Sequence, residues 1–306
     1  MQSGSADYYS LDKYLRSTFG TKVYKLSLNG GMSCPNRDDG SGGCIFCSAG
    51  GSGDFAAPFD PDVDRQIESA KAYVSKKYNV GRFIAYFQAF TNTYAPVDYL
   101  KKLFVPAIMR DDIVALSIAT RPDCLPDDVV ALLHDLNKIK PVWVELGLQT
   151  IHPESARYIR RGYELAVYDE AVRKLTGNVD QIITHVILGL PGESREDMLE
   201  TVRYVGNSGS TGIKLQLLHV IAGTDLERDY LDGKFKTLEM DEYIDILCEC
   251  IEILPRDIVI HRLTGDGPKR SLVAPLWSAG KHHVMNTLIK TMLERGVSQG
   301  SVVRGQ

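Results

Sequence analysis

No run of eighteen apolar residues occurs in this 306-residue chain, which argues against a membrane-spanning helix of the usual length. Charge of one sign is not in excess either. Lys and Arg number 35 against 39 Asp and Glu, and a net charge of −4 gives no global pull towards nucleic acid. Met1 to Asp7 carry neither a basic patch nor an apolar stretch, so no secretory signal is read there and a cytoplasmic location is the expectation. Residues 1–6 are Ser/Gly-rich and stay outside the functional argument. Ser/Pro-rich linkers, low-complexity tracts and repeats are missing from the interior, as is a separate RNA-binding module such as an OB fold or zinc knuckle. Cysteine is scarce, six in all, yet three of the six fall between positions 34 and 47. In a reducing compartment such crowding points to a metal rather than to disulfides.

What is present is an ordinary globular composition, 44% hydrophobic and 24% charged. Short β-rich runs alternate with amphipathic helical stretches. Strands are expected over Lys22–Leu28, Arg82–Gln88, Ile113–Ile118, Val142–Leu148, Gln181–Leu188 and Gly212–Val220. Helical periodicity covers Asp62–Tyr78, Val97–Met109, Pro126–Asn137, Leu165–Thr176 and Arg195–Ser208, then Met240–Leu254 and Lys281–Glu294. Repeated βα units imply an α/β fold with a parallel sheet, a barrel or partial barrel, although a doubly wound sheet has the same periodicity. The expected division is an N-terminal segment (1–20), a partial (β/α)6 TIM-like barrel (21–224) and a C-terminal α/β extension (225–306).

In parallel α/β folds the chemistry sits where strands run out into loops. Polar residues collect at those places: Cys34, Cys44 and Cys47 after the first strand, Gln88 and Thr91-Asn92-Thr93 after the second, Ser117, Thr120 and Arg121 at the third. Glu145 and Gln149 fall on the fourth, His185 and Gly189-Leu190-Pro191-Gly192 on the fifth, Gln216 and His219 on the sixth. The cysteines read Cys-x9-Cys-x2-Cys with a Gly- and Asp-rich insert. A closed zinc site needs a fourth ligand, for which Cys124, His134, His185 and His219 are of the right type. A four-iron cluster on three thiolates instead leaves one iron open to a cofactor or substrate. Spacing leaves both open. Cys248 and Cys250 stand badly for sharing a metal on one helix.

With its flanking residues this loop, Cys34-Pro35-Asn36-Arg37-Asp38…Gly43-Cys44-Ile45-Phe46-Cys47, resembles the radical S-adenosylmethionine (SAM) superfamily, in particular its Elp3-like branch and a bacterial group of roughly three-hundred-residue proteins. The resemblance extends through Tyr86–Tyr94, Ile118–Asp123, Glu145–Thr150, Leu188–Glu193, Leu218-His219-Val220, Arg262–Pro268 and Ala274–Ser278. Nine residues between the first two cysteines depart from the superfamily's common spacing of three.

The resemblance implies a [4Fe–4S] cluster on Cys34, Cys44 and Cys47, with SAM as cofactor and a 5′-deoxyadenosyl radical as the reactive species. It puts Phe46 near the adenine, Thr91, Asn92 and Thr93 at the SAM amino group, Gln149 at the ribose and Arg161 at the carboxylate. Ser117, Leu188, Gly189, Pro191 and Gly192 complete the cofactor contacts, while His185, His219, Glu145, Gln88 and Arg121 would line the barrel mouth towards the substrate. That substrate is expected to be the wobble uridine of tRNA, with carboxymethylaminomethyluridine converted to aminomethyluridine. Partners would be tRNA, a reductant such as flavodoxin or ferredoxin, and a separate methyltransferase acting on the product. Local basic groups would meet the RNA: Arg157, Arg160 and Arg161, then Lys269 and Arg270, then Lys281, His282 and His283. Two other classes compete: a zinc-stabilised α/β-barrel hydrolase or nucleic-acid binder, and an iron–sulfur protein without turnover. A zinc deaminase is disfavoured because no His-x-Glu is followed by Pro-Cys-x-x-Cys.

Overall fold

Seven short runs rich in β-branched and aromatic residues build one sheet in which every strand is parallel to its neighbours. The computed structural model describes residues 7–40, 42–48, 50–51, 58–75, 81–265, 267 and 269–302. Residues 1–6, Ser41, the 76–78 end of one expected helix, and Asp266 and Pro268 lie outside the described residues.

The strands are β1 (Tyr24–Leu28), β2 (Phe83–Phe87), β3 (Ile113–Thr120), β4 (Val142–Gln149), β5 (Gln181–Leu188), β6 (Gly212–Leu217), β7 (Val220–Ile221), β8 (Val259–Arg262) and β9 (Leu272–Ala274). The large sheet runs β1-β2-β3-β4-β5-β6-β8 and curls into a half-barrel. Two features differ from the sequence reading. The expected sixth strand ends at Leu217, and Val220–Ile221 leaves to pair antiparallel with β9. The C-terminal extension supplies a seventh parallel strand, β8, so residues beyond 225 extend the sheet itself.

Helices Val63–Ser75, Val97–Met109, Asp127–Asn137, Leu165–Leu175 and Arg195–Asn207 cover the outer face. Their apolar sides bury Leu100, Phe104, Leu133, Tyr168, Val172 and Val202 in one core with Leu26, Phe87, Ile118, Val144, Val186 and Leu188 of the strands. Phe87 meets Phe104 edge-on at 5.0 Å between ring centroids. Each such side chain contributes about 1.5–3 kcal/mol on burial, and strands covered on both faces read as continuous apolar runs. The helix Leu11–Phe19, capped by the Ser10 side chain and by Gly20 at φ +69°, closes the N-terminal end of the half-barrel. Its Leu15 packs with Val23, Ile84, Ala115, Trp143 and Ile183. Among the described residues, no helix is long and apolar enough to cross a membrane.

The concave face is layered because alternate strand residues point inwards. Ile84, Ala115, Trp143 and Ile183 form an apolar floor. Two residues along, roughly 7 Å higher at strand rise, stand Tyr86, Ser117, Glu145 and His185. Ile187, with Ile45, Leu218 and Val220, forms an apolar upper layer beneath the cysteine loop.

Candidate active site

Beyond β1 the chain enters the cysteine loop. The Cys34 carbonyl accepts from the backbone N–H of Arg37 and Asp38, starting a helical turn over Pro35–Asp38. Asn36, 4% exposed, fixes the loop from below. Its Nδ2 donates to the carbonyls of Arg160 (2.6 Å) and Arg161 (3.0 Å) and lies 3.5 Å from the Cys44 sulfur. The thiols of Cys44 and Cys47 hydrogen-bond each other. That bond lowers Cys44 to about 7 against the effect of burial, helped by the Arg121 and Arg160 cations and by Asn36. The same bond, together with burial, pushes Cys47 up. Arg121 forks onto Asp123 at 2.9 and 2.7 Å and donates to the Arg161 carbonyl at 2.8 Å. It ties the β3 end to the segment under the cysteines.

Among the described residues, four that are not glycine have positive φ: Ala89 (72°), Phe90 (55°), Gln149 (66°) and Arg160 (55°). All four lie at strand ends or loops bordering the cysteine loop, where strained backbone characteristically gathers around a site. Gly162, at φ +83°, is a second constraint, since a Cβ there would stand 2.3 Å from Asn36 Oδ1. Gly162→Ala is therefore expected to destabilise by about 1–3 kcal/mol, through a disfavoured φ and a displaced Asn36. Thermal unfolding would register it, and limited proteolysis would show the cysteine loop loosened; an unchanged melting temperature would contradict this account.

The segment after β2 carries three buried polar side chains. Thr93 Oγ1 donates to the Cys124 carbonyl and shares a hydrogen bond with Thr120 Oγ1, both at 2.5 Å, which commits it to the loop's own structure. Thr91 and Asn92 differ. Each is 1% exposed, yet Thr91 Oγ1 and Asn92 Oδ1 have no hydrogen-bond partner, while Asn92 Nδ2 donates to Ala89 and Ala119 carbonyls. Unsatisfied buried acceptors are expensive and rare, and two together fit an ammonium-bearing ligand.

The other sequence-nominated residues separate by environment. Gln149 ends β4 at a bulge, and its amide, with O and N exchanged, donates to the carbonyls of Gly147 and Leu148 at 2.9 Å. Arg161, 2% exposed, is enclosed rather than on the surface. Its guanidinium donates to carbonyls of Thr150 (2.6 Å), Leu148 (3.2 Å) and Tyr163 (3.0 Å) and lies 4.5 Å over the Tyr163 ring. Phe46 packs on the upper apolar layer. Leu188 turns outwards into the helix–sheet core, so only its backbone faces the loop. Gly189 (φ +87°) and Gly192 (φ +85°) flank the half-buried Pro191 at the β5 exit. Gln88 is half-buried past β2, and the His219 ring packs against Gly265 and Gly267.

Ser117 lies deeper than expected. It is fully buried mid-strand and donates to Glu145 Oε1 at 2.7 Å. Glu145 is itself fully buried and accepts from five groups: Lys25 (2.5 Å) and Ser117 on Oε1, Tyr86 (3.0 Å), His185 (2.8 Å) and Lys214 on Oε2. Burial would raise its pKa, but Lys214, Lys25 and the His185 hydrogen bond outweigh that and hold the carboxyl well below its ordinary range. Burial and the Lys214 charge lower His185 to about 4, so its Nε2 donates from a neutral ring. Burial likewise drags Lys214 to about 7 despite Glu145. Sequence reasoning missed Lys25, Tyr86, Lys214 and Asn36 as site residues. The available signal was a single lysine inside otherwise apolar strands, Tyr24-Lys25-Leu26 and Ile213-Lys214-Leu215, at the inward-facing position.

The donors also bear on the metal. Among the described residues, the one group of three His, Cys, Asp or Glu ligand atoms within 4.8 Å of one another is His152, Asp197 and Glu200, which includes none of the cysteines. His185 is engaged by Glu145, His134 sits on an outer helix and His219 under the C-terminal loop. None of them joins the three thiols in the compact tetrahedron that closed zinc sites use.

Comparison with known proteins agrees. Residues 33–205 match the family model described as the radical SAM superfamily, and residues 210–294 match the radical SAM C-terminal domain. Protein YtqA of Bacillus subtilis is 45% identical over 295 residues, covering 96% of this chain and 92% of that protein. Protein YhcC of Escherichia coli is 36% identical, covering 94% and 93%. A tRNA uridine(34) acetyltransferase of Methanocaldococcus jannaschii is 28% identical over 164 residues, 52% of this chain but 30% of that protein. Among solved structures, archaeal Elp3 from Methanocaldococcus infernus shares the fold at a TM-score of 0.68 and 19% identity, covering 90% of this chain and 64% of that one. The match thus takes in less than two thirds of the archaeal protein. With its curled parallel sheet and its cysteine loop at the strand ends, the chain belongs to the radical SAM superfamily, on the Elp3-like branch.

Proposed function

We propose that this protein reductively cleaves SAM at a [4Fe–4S] cluster bound by Cys34, Cys44 and Cys47, and that it acts on the wobble uridine of tRNA, converting carboxymethylaminomethyluridine to aminomethyluridine. The observation that carries the first part is three thiols in one loop beside two unpartnered buried acceptors, Thr91 Oγ1 and Asn92 Oδ1. When bound, the cluster and SAM supply a 5′-deoxyadenosyl radical that removes hydrogen from a carbon of the substrate. The chain's own residues hold and shield. Asn36, Arg121 and Arg161 fix the loop, Thr91 and Asn92 accept from the SAM ammonium, and Phe46 with the upper apolar layer excludes water. Glu145 and His185 line the lumen that the substrate enters.

Thr91→Val separates this reading from a structural one. The hydroxyl has no partner to lose, so stability is expected to hold or rise by up to about 1 kcal/mol, whereas SAM affinity falls about tenfold with the lost charge-assisted hydrogen bond. Equilibrium binding and thermal unfolding together would decide. Unchanged affinity would remove Thr91 from the cofactor site.

For the tRNA part, the support is the relatives whose names carry tRNA uridine(34), and the exposed groups Lys269, Arg270, Lys281, His282 and His283 of the C-terminal region. Of the arginine group, Arg161 is enclosed and Arg160 pairs with Asp225, leaving Arg157 on the surface. A flavodoxin- or ferredoxin-type reductant would deliver the electron, and a separate methyltransferase would take the aminomethyl product. The test compares nucleosides of tRNA from strains with and without the gene by mass spectrometry. Carboxymethylaminomethyluridine accumulating in the deletion supports the assignment, and an identical profile removes it.

A further inference from the structure

We propose that the lumen contains an anion subsite in which Lys25 and Lys214 together hold a carboxylate group of the substrate. The inference rests on the reading above for which molecule carries that group, but its electrostatics stand alone.

The hydrogen-bond inventory is the starting point. An ammonium group has three N–H donors. Lys25 Nζ uses one on Glu145 Oε1 (2.5 Å) and one on Ser117 Oγ (3.3 Å). Lys214 Nζ uses one on Glu145 Oε2 and one on Tyr86 Oη (3.3 Å). Each lysine therefore keeps one N–H that no oxygen takes, with Lys25 Nζ 4.6 Å over the Tyr86 ring and 5.4 Å over the Trp143 ring, and Lys214 Nζ 4.9 Å over the Tyr86 ring. Glu145 cannot absorb them, since its two oxygens already accept from five donors.

Charge points the same way. With Lys214 protonated, two ammonium groups share one carboxylate, and His185 beside them is neutral. The groups facing this pair are Glu145, Tyr86, Ser117, His185, Trp143 and, from β8, His261, which burial and the Lys25 charge keep neutral, and Arg262, whose charge also bears on Lys214 and His185. No second acid stands among those facing groups. Buried charge without a counter-charge is costly, so an entering anion is drawn in. Access is from the Lys25 and His185 side: their side chains keep 19% and 18% exposure, against 6% for Lys214 and none for Glu145.

Two spare donors on two nitrogens suit the two oxygens of one carboxylate, whereas a phosphate would bring more oxygens than there are donors to meet them. The depressed Lys214 fits a resting site that lacks this second anion. Carboxylate binding would restore its proton, so affinity should decline as pH rises above neutrality.

The test uses the full-length protein carrying [ε-13C]lysine, titrated by NMR in acetate and, at equal ionic strength, in acetamide. The resonance missing from Lys214→Met identifies Lys214. Saturating acetate is expected to raise its titration midpoint by about one unit or more, a tenfold coupling, and acetamide to leave it in place. Lys25→Met should lose the shift while folding normally, because one lysine still balances Glu145; Lys25→Arg should retain it. Equal behaviour in acetate and acetamide, an undiminished shift in Lys25→Met, or a larger shift with inorganic phosphate would each overturn the assignment. No SAM, cluster turnover or tRNA enters this measurement, so its failure is separable from failure of the wobble-uridine reading.

Discussion

Alanine at Cys34, Cys44 or Cys47 will reduce 5′-deoxyadenosine formation to background under anaerobic, reducing conditions, whereas alanine at Cys124 will leave it intact. The asymmetry follows from geometry. The three loop thiols are half-buried at the strand ends, while Cys124 is 7% exposed, with burial and the Asp123 charge pushing its thiol up to about 12. Cys124 lies outside the cysteine loop, in the turn after β3, with its sulfur 3.8 Å from Asp123 Oδ1. The loop does not depend on the thiols for its shape. Asn36 binds the Arg160 and Arg161 carbonyls, and the Arg37 guanidinium lies 5.0 Å over Phe90 and donates to the Ser48 carbonyl. Each cysteine variant should therefore fold, with a stability change within about 1 kcal/mol before reconstitution. Iron and sulfide content, visible absorption and product chromatography on the four variants give the readout. A Cys124→Ala protein that loses its metal alongside the others, or a wild type holding zinc and no sulfide, would return the site to the four-ligand zinc class.

How far the sequence alone could reach is clearest at particular residues. Val97–Met109 and Gln181–Leu188 have the boundaries their periodicity implies, because their burial is one-sided or continuous over the whole element. β8 escaped notice: Val259–Arg262 is four residues long, and a short β-branched run carries no period. The Leu11–Phe19 helix was missed although Ser10 caps it, since its role, plugging the barrel floor with Leu15, is a tertiary fact. The cysteine loop was legible from its spacing. The Glu145 cluster was legible only in part. Glu145, Ser117 and His185 stood out as polar residues on strands, but their convergence with Lys25, Tyr86 and Lys214 joins six strands through contacts as far as 128 residues apart along the chain, Tyr86 to Lys214, and only the curl of the sheet brings such separations to hydrogen-bond range.

That cluster yields the largest stability effect expected in the molecule. Glu145→Gln keeps the shape and removes the one carboxylate that two buried ammonium groups share, leaving uncompensated charge, which costs about 3–5 kcal/mol. At the unfolding entropy typical of globular chains this lowers the melting temperature by roughly 5–8 °C. The pH dependence has a definite sign. The Glu145 carboxyl is held well below its ordinary 4.5, so its contribution is present above that value and lost as pH falls through the depressed one. Lys214 titrates at about 7 rather than 10.5. Between those values the unfolded chain holds more protons than the folded one, so the Lys214 contribution to stability climbs from pH 7 towards pH 10. Lys214→Met should abolish that climb. The Glu145→Gln deficit should shrink at high pH, because a neutral lysine no longer needs the carboxylate. The double variant should be more stable than the sum of the single effects by about 1–3 kcal/mol, since deleting Lys214 removes the charge that Glu145→Gln strands. Denaturant unfolding of the four proteins at pH 6 and pH 9 measures every term. Strictly additive losses with no pH dependence would mean that the lysines do not depend on Glu145 for their charge balance.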